Sequence, residues 1–468
     1  MTYLLLVSAL VTIIAALSFG VWRGPTTLVL FVVAALPFLP LARELVPWTV
    51  SVSGREYSVV GSSKELLIVA FVVAVWGYLT ITKKVPQRGP VAAQLVAMGL
   101  FNAYTFARAL TSPDLVEGLE GYRLIAEYSW LALGLLLLRP SHWPAGALAR
   151  ISIAAGVLVA AFGLYQVFVD PDVVRLYSLS YEAIKPKAYI LPGIPRLVST
   201  VGDPNVAGHF LLVGLILACA LRIGSCTAGW RPAYGLVFFP LLAGLALTFS
   251  RSSWAGLVTG FATALALLRL RAFRLLGQPL AAATALGVAT LLLMASSVPV
   301  VHALSVRATQ LAPTTALLDP RVSRWETLVM PKLLDNVGTL LFGHGFQELG
   351  GVGLRRTGWV FENLYLNLAY QLGLVGACLY FLVAVVGAIH ATRLWTSRGI
   401  FAWIGFAVLV FLSVFLVIGL FGDVNMSGPL TAYFWVLMAL AATTLRAQMQ
   451  HVGRTTSEIT SARPGPRA

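Results

Sequence analysis

Three short segments of this chain carry the residue types best suited to chemistry. Arg196 lies in ProArgLeuValSerThrValGlyAspProAsn, Arg251 in PheSerArgSerSerTrpAlaGly, and Glu362 opens GluAsnLeuTyrLeuAsnLeu. Each segment abuts an apolar run long enough to cross a bilayer. A cation at the bilayer centre costs about 2.5–3.5 kcal/mol, so arginines at the ends of spans need water or an anionic partner. A guanidinium presents a planar fork that matches phosphate oxygens, and a carboxylate near apolar groups can accept a proton close to neutral pH. Two such arginines and one carboxylate, if they converge outside the lipid, suit a phosphate-bearing lipid substrate.

The elements that must position them are membrane helices. The chain is 58% hydrophobic and 11% charged, which excludes a soluble globular protein. A hydrocarbon core about 30 Å thick needs roughly 20 apolar residues per helix. Such runs fall near 3–20, 25–42, 66–82, 91–110, 122–138, 149–168, 205–222, 232–249, 253–270, 276–299, 364–390, 401–421 and 429–445. The expected fold is an all-α integral membrane protein, a bundle of 12 or 13 spans over residues 1–445. A long external loop, 301–361, precedes the last three spans, and 446–468 is expected to be a disordered basic cytoplasmic tail. The first apolar run lacks a basic start and a cleavage signal and is expected to be retained as a span.

The net charge of +15 resembles a nucleic-acid signal until its distribution is read. Loops assigned to one side hold Arg23, Lys83, Lys84, Arg88, Arg139, Arg150, Arg222, Arg231, Arg269, Arg271, Arg274, Arg393 and Arg398. The tail adds Arg446, Arg454, Arg463 and Arg467, against the single acid Glu458. The opposite side holds the remaining carboxylates and is close to neutral. The positive-inside rule therefore puts the tail in the cytoplasm and the three polar segments on the outer face. The charge describes topology, and nucleic acid is not an expected partner. Cys219, Cys226 and Cys378 have no metal-ligand spacing, and a structural disulfide is not expected.

Three outward loops are long. The first, 43–64, contains ThrValSerValSerGlyArgGluTyrSerValVal, whose alternation fits a small hairpin. The second, 170–205, is proline-rich. In the third, the stretch from Arg321 through Arg324 to Leu334 has helical apolar spacing and is expected to lie along the membrane surface.

Each candidate also has a bland reading. Arg251 suits an arginine snorkelling to headgroups, but Ser250, Ser252 and Ser253 surround it at a helix N-terminus, where free N–H groups suit phosphate. Gly256 and Gly260 mark close helix packing. Arg196 precedes a turn in which Asp203 or Asn205 caps the next helix. Glu362 in a first helical turn is ordinary dipole chemistry, and a general base is the functional alternative. His344, between Gly343 and Gly345, is a second candidate base or a simple loop residue. Asp170 and Asp172 carry a weak metal hypothesis. Arg108, Glu120, Arg123 and Glu127 are expected to pair with one another. No internal repeat is evident.

The order of these parts resembles the O-antigen ligase and O-antigen polymerase superfamily of bacterial polytopic membrane glycosyltransferases. The resemblance rests on PheSerArgSerSerTrpAlaGlyLeu at 249–257, ArgLeuValSerThrValGlyAspProAsnValAlaGly at 196–208, PheGlyHisGlyPhe at 342–346 and GluAsnLeuTyrLeuAsnLeuAlaTyrGlnLeuGlyLeuValGly at 362–376. It covers roughly residues 66–445. It implies a polyprenyl-pyrophosphate-linked glycan as donor, a glycan or lipid acceptor, surrounding membrane lipids, and no metal or other cofactor. Arg196 and Arg251 would hold the pyrophosphate and Glu362 would deprotonate the acceptor. Arg321, Arg324, His344, Asn205, Asn363, Tyr365, Ser250 and Ser252 would contact substrate. Ligases of the group usually carry histidine where this chain has Glu362, which favours a polymerase or a transferase to an acceptor other than lipid A-core. A small-anion transporter and a metal-dependent polyprenyl-lipid glycosyltransferase are the alternatives.

Overall fold

The computed structural model describes residues 25–45, 49–52, 55–58, 63–82, 89–138, 145–176, 189–191, 194–224, 231–269, 325–346, 363–397, 401–422 and 428–461. Glu362, Arg321, Arg324 and the expected spans 3–20 and 276–299 lie outside them. Lipid offers no partner to a backbone N–H or C=O, so long apolar runs close their own hydrogen bonds as helices. The helices are α1 (Pro25–Ala35), α2 (Leu39–Leu45), α3 (Ser63–Thr82), α4 (Pro90–Leu110), α5 (Leu115–Ala126) and α6 (Ser129–Leu137). They continue with α7 (Ala145–Phe168), α8 (Pro204–Gly224), α9 (Arg231–Leu236), α10 (Phe238–Leu247) and α11 (Arg251–Arg269). After the long segment come α12 (Met330–Leu333), α13 (Val337–Phe342), α14 (Leu364–Thr396), α15 (Ala402–Phe421) and α16 (Gly428–Ser461).

Among the described residues, five helices are long and apolar enough to cross a membrane: Ala145–Phe168, Pro204–Gly224, Leu364–Thr396, Ala402–Phe421 and Gly428–Gln450. The protein is thus an all-α, multi-pass membrane protein. Four expected spans are not single straight helices: 25–42, 122–138 and 232–249 are each divided in two, and 364–390 is broken at Gly373. The break between α5 and α6 falls at Glu127 and Tyr128, where Ser129 Oγ turns back onto the Ala126 carbonyl and onto Asn102 Oδ1.

The expected hairpin forms: β1 (Thr49–Val52) pairs antiparallel with β2 (Arg55–Ser58), Thr49 opposite Ser58. A smaller one, β3 (Tyr189–Leu191) with β4 (Ile194–Pro195), runs directly into Arg196. Within the expected helical stretch, residues 325–333 are helical, the first turn a π-helix. The tail departs from expectation. Disorder was expected over 446–468, whereas α16 runs unbroken to Ser461. Extending an existing helix adds one hydrogen bond per residue without a new nucleus, and no proline intervenes before Pro464.

The bundle centres on α8, α14, α15 and α16, with α11 against α15 and α4 against α14. Small residues let backbones approach there, since lipid supplies no hydrophobic drive between helices. A Cβ on Gly256 would lie 2.9 Å from Leu212 and 3.1 Å from Ile418, and one on Gly260 2.9 Å from Val414. With the approach of Gly208 to Ser253, these contacts make α11 parallel to α8 and antiparallel to α15. At the centre Tyr380 stacks on Phe434 at 4.9 Å and meets Trp435 and Phe101 edge-on at 5.6 and 5.4 Å.

Candidate functional site

The segment entering α8 and the turn entering α11 are built as one unit. Gln166, buried near the end of α7, accepts from the Val198 and Ser199 N–H groups at 3.2 and 2.8 Å and donates to the Arg196 carbonyl at 3.1 Å. That grip fixes the Arg196 backbone, and the Leu197 N–H donates to the Leu247 carbonyl at 2.9 Å. Asp203 caps α8, its Oδ1 accepting from the Asn205 and Val206 N–H groups at 2.8 and 3.3 Å.

The Arg196 side chain is 7% exposed and runs under the second turn. Nε donates to the Thr248 carbonyl at 2.8 Å, and Nη2 reaches Phe249 O and Asn205 Oδ1, both at 3.5 Å. Phe249 adopts φ 49°, a left-handed conformation that costs a bulky residue free energy and needs outside support. A buried, charge-assisted bond to the carbonyl on each side of that strained linkage is such support. Arg196 therefore shapes the Arg251 turn rather than standing open beside it.

Beyond Phe249, Ser250 caps α11, its Oγ accepting from the Ser253 N–H at 3.4 Å and from Ser253 Oγ at 3.0 Å. Ser250 Oγ also lies 3.1 Å from Ser252 Oγ. Arg251 is the first residue of the helix and is half-buried. The two turns close on each other because Gly208 has no side chain: a Cβ there would sit 2.4 Å from Ser253 Oγ.

One residue of this cluster was not singled out in the sequence. His209, 4% exposed, places Nε2 2.9 Å from Ser252 Oγ, and its Nδ1 has no hydrogen-bond partner among the described residues. It sits one helical turn after Asn205, so both face the same side of α8. The available signal was its place four residues after Asn205 inside an apolar run. Arg196, Asn205, His209, Ser250 and Ser252 thus form one contiguous polar cluster.

Asn363 reaches the same end of the bundle. It caps α14, its Oδ1 accepting from the Tyr365 and Leu366 N–H groups at 2.9 and 3.1 Å, while Nδ2 donates to the Leu420 carbonyl at 3.2 Å. Tyr365 donates its hydroxyl to the Leu416 carbonyl at 2.6 Å. Gly256 of α11 meets Ile418 of α15, and at 1.5 Å per residue Arg251 lies about 7.5 Å and Leu420 about 3 Å beyond that level. Arg251 and Asn363 therefore share the mouth formed by the end of α15. The two assigned contacts Asn363 and Tyr365 spend their polar atoms on helix ends there.

His344 belongs to a different arrangement, about two helical turns along α14 from Asn363. It stacks on Tyr370 at 4.5 Å, and Nε2 lies 3.0 Å from the Lys332 carbonyl. Arg123 and Arg108 find partners on other elements than the four residues grouped in the sequence. Arg123 pairs with Glu65 at 3.2 Å, and Arg108 donates to the Gly343 carbonyl at 3.1 Å. The apolar packing of α3 against α6 and of loop 343–346 against α4 decides those partners. Asp170 Oδ1 accepts from the Asp172 N–H at 3.1 Å, a local turn. Among the described residues, no three His, Cys, Asp or Glu side chains are grouped to hold a metal ion.

Fold and site together define a multi-pass helical membrane protein with a buried polar cluster at one end of its bundle. No protein-family model and no curated protein matches the chain.

Proposed function

We propose that the protein is a membrane glycosyltransferase of the O-antigen ligase and polymerase kind, transferring a glycan from a polyprenyl-pyrophosphate donor to an acceptor hydroxyl. In this reading the cluster end of the bundle faces away from the cytoplasm of a bacterial inner membrane, an orientation supported by the excess of loop cations assigned to the other side. A polymerase, or a transferase to an acceptor other than lipid A-core, is favoured because an acid stands at Glu362.

The observation that carries the reading is the joining of the 196–205 segment to the 249–253 turn beneath the N-terminus of α11, with Arg251 as its first residue. Serine hydroxyls and the first turn of α11 adjoin Arg251 there, a setting that suits phosphate oxygens. In the reaction the acceptor oxygen attacks the anomeric carbon as its proton passes to the Glu362 carboxylate. The bond from that carbon to the pyrophosphate oxygen breaks, and the pyrophosphate leaves with the electron pair. Arg251 stabilises the charge gathering on the leaving group, the kind of preorganised electrostatics that often dominates catalysis. Arg196 holds the turn that aims it.

A transporter reading draws on the break in α14 at Gly373, since broken helices line ion sites in transporters. The carbonyls freed there are taken by the 343–345 loop and Tyr104, which argues for a structural break.

The test is purified protein in lipid nanodiscs with a polyprenyl-pyrophosphate glycan. Arg251→Ala should abolish transfer, and Arg251→Lys should lose most of it, because a point charge does not replace the fork. Glu362→Gln should lower turnover about 10²–10⁴-fold with donor binding kept. Wild-type turnover that persists in Arg251→Ala would overturn the proposal.

A further inference from the structure

Helix α14 is two helices. At Gly373 the backbone takes φ 66° and ψ −177°, dividing a short helix, 364–372, from the span that follows. A continuous helix would satisfy the carbonyls of residues 370–372 with its own N–H groups four residues on. Here the His344 N–H donates to the Tyr370 carbonyl at 2.7 Å and the Gly345 N–H to the Gln371 carbonyl at 3.0 Å. The Tyr104 hydroxyl donates to the Leu372 carbonyl at 2.7 Å. The loop that supplies these donors is itself anchored on its far side. Arg108 donates to the Gly343 carbonyl, and Phe346, 1% exposed, packs so closely on α5 that a Cβ on Gly121 would lie 2.4 Å from its ring.

His344 closes this bracket with its side chain. Its ring lies 4.5 Å from Tyr370 at an interplanar angle of 21°, and its Nε2 is 3.0 Å from the Lys332 carbonyl. A carbonyl only accepts, so Nε2 carries the proton and donates; that nitrogen has no lone pair to offer a substrate. We propose that His344 is a positioning residue, clamping the short helix 364–372 through Tyr370 and so fixing Asn363 at the end of α15. The consequence for turnover rests on the transferase reading. The clamp does not.

Amide hydrogen exchange on the full chain in nanodiscs measures the clamp without any activity. In His344→Ala, amides of 364–372 should exchange at least about tenfold faster while those of 374–396 keep their protection. His344→Phe retains a ring over Tyr370 and should restore much of that protection. Unchanged exchange at 364–372 in His344→Ala, or equal loosening of 374–396, would overturn the clamp. Turnover then separates positioning from proton transfer. In His344→Gln and His344→Phe, kcat should fall with donor KM nearly constant, and its pH profile should keep the wild-type limbs. Loss of one limb in both variants would make His344 the base and overturn the inference. Wild-type protein inert toward the donor would sink the transferase reading while the exchange result still judged the clamp.

Discussion

Gly373→Ala tests the interlock between the 341–345 loop and α14 most directly. Gly373 combines φ 66° with ψ −177°, a region that only glycine occupies at low cost. Forcing alanine into it costs about 1–3 kcal/mol. Space is also lacking, because the added Cβ would lie 2.2 Å from the Leu341 carbonyl oxygen and 2.5 Å from the Gly343 amide nitrogen. Both obstacles are backbone, so no side chain can swing away, and overpacking of this kind typically adds about 1–3 kcal/mol. Native geometry with alanine is therefore disfavoured by about 2–6 kcal/mol. The chain has an escape: rotating residue 373 into helical φ and ψ joins the two parts of α14 and satisfies the carbonyls of 370–372 internally. Either route displaces the loop from the break. The expected result is a lower Tm in nanodiscs together with faster amide exchange at 341–346, whereas Gly99→Ala, in an ordinary helical conformation with no atom within 4 Å of the added Cβ, should spare the loop. Wild-type exchange at 341–346 and an unchanged Tm in Gly373→Ala would refute the geometry on which this reasoning stands.

Arg196→Ala removes a buried donor from the Thr248 carbonyl, and hydrogen bonds from charged groups contribute about 1.5–3 kcal/mol each; Tm should fall further than in Arg251→Ala, whose main effect should be loss of transfer. Equal Tm values for the two variants would show that Arg196 does not support the turn. His209→Ala breaks the contact with Ser252 and opens a void beside the start of α11; a loss of about 2–4 kcal/mol in stability is expected, with His209→Asn milder, as measured by thermal unfolding. Gly256→Leu should separate α11 from α15, given a Cβ already 2.9 Å from Leu212 and 3.1 Å from Ile418, and should reduce the folded yield from membranes more than Gly99→Leu, which faces open space.

Much of this protein is legible in composition and spacing, for plain reasons. Lipid leaves a long apolar run no choice but to pair its backbone within itself, so α7, α8, α15 and α16 fall where the runs fall. Local rules also suffice where only neighbours are involved: the 49–58 hairpin, the Asp203 cap of α8, and Ser250 capping the helix that Arg251 begins. Other features depend on residues far apart in sequence. Nothing near Arg196 says that its side chain will be buried under Thr248 and Phe249, because the strained turn it supports lies about fifty residues on. His209 gains meaning only when Gly208 lets α11 approach and brings Ser252 to its ring. The break in α14 is invisible to hydropathy, since Leu372 and Leu374 flank Gly373, and its freed carbonyls are claimed by His344 and Gly345 of a preceding loop and by the Tyr104 hydroxyl of α4. Sequence determined the membrane class and the places where helices begin, because those follow from the solvent and from adjacent residues. Which polar side chains hold the scaffold and which face a substrate was decided only by tertiary packing, because a hydrogen-bond donor acquires its role from whichever acceptor the fold brings to it.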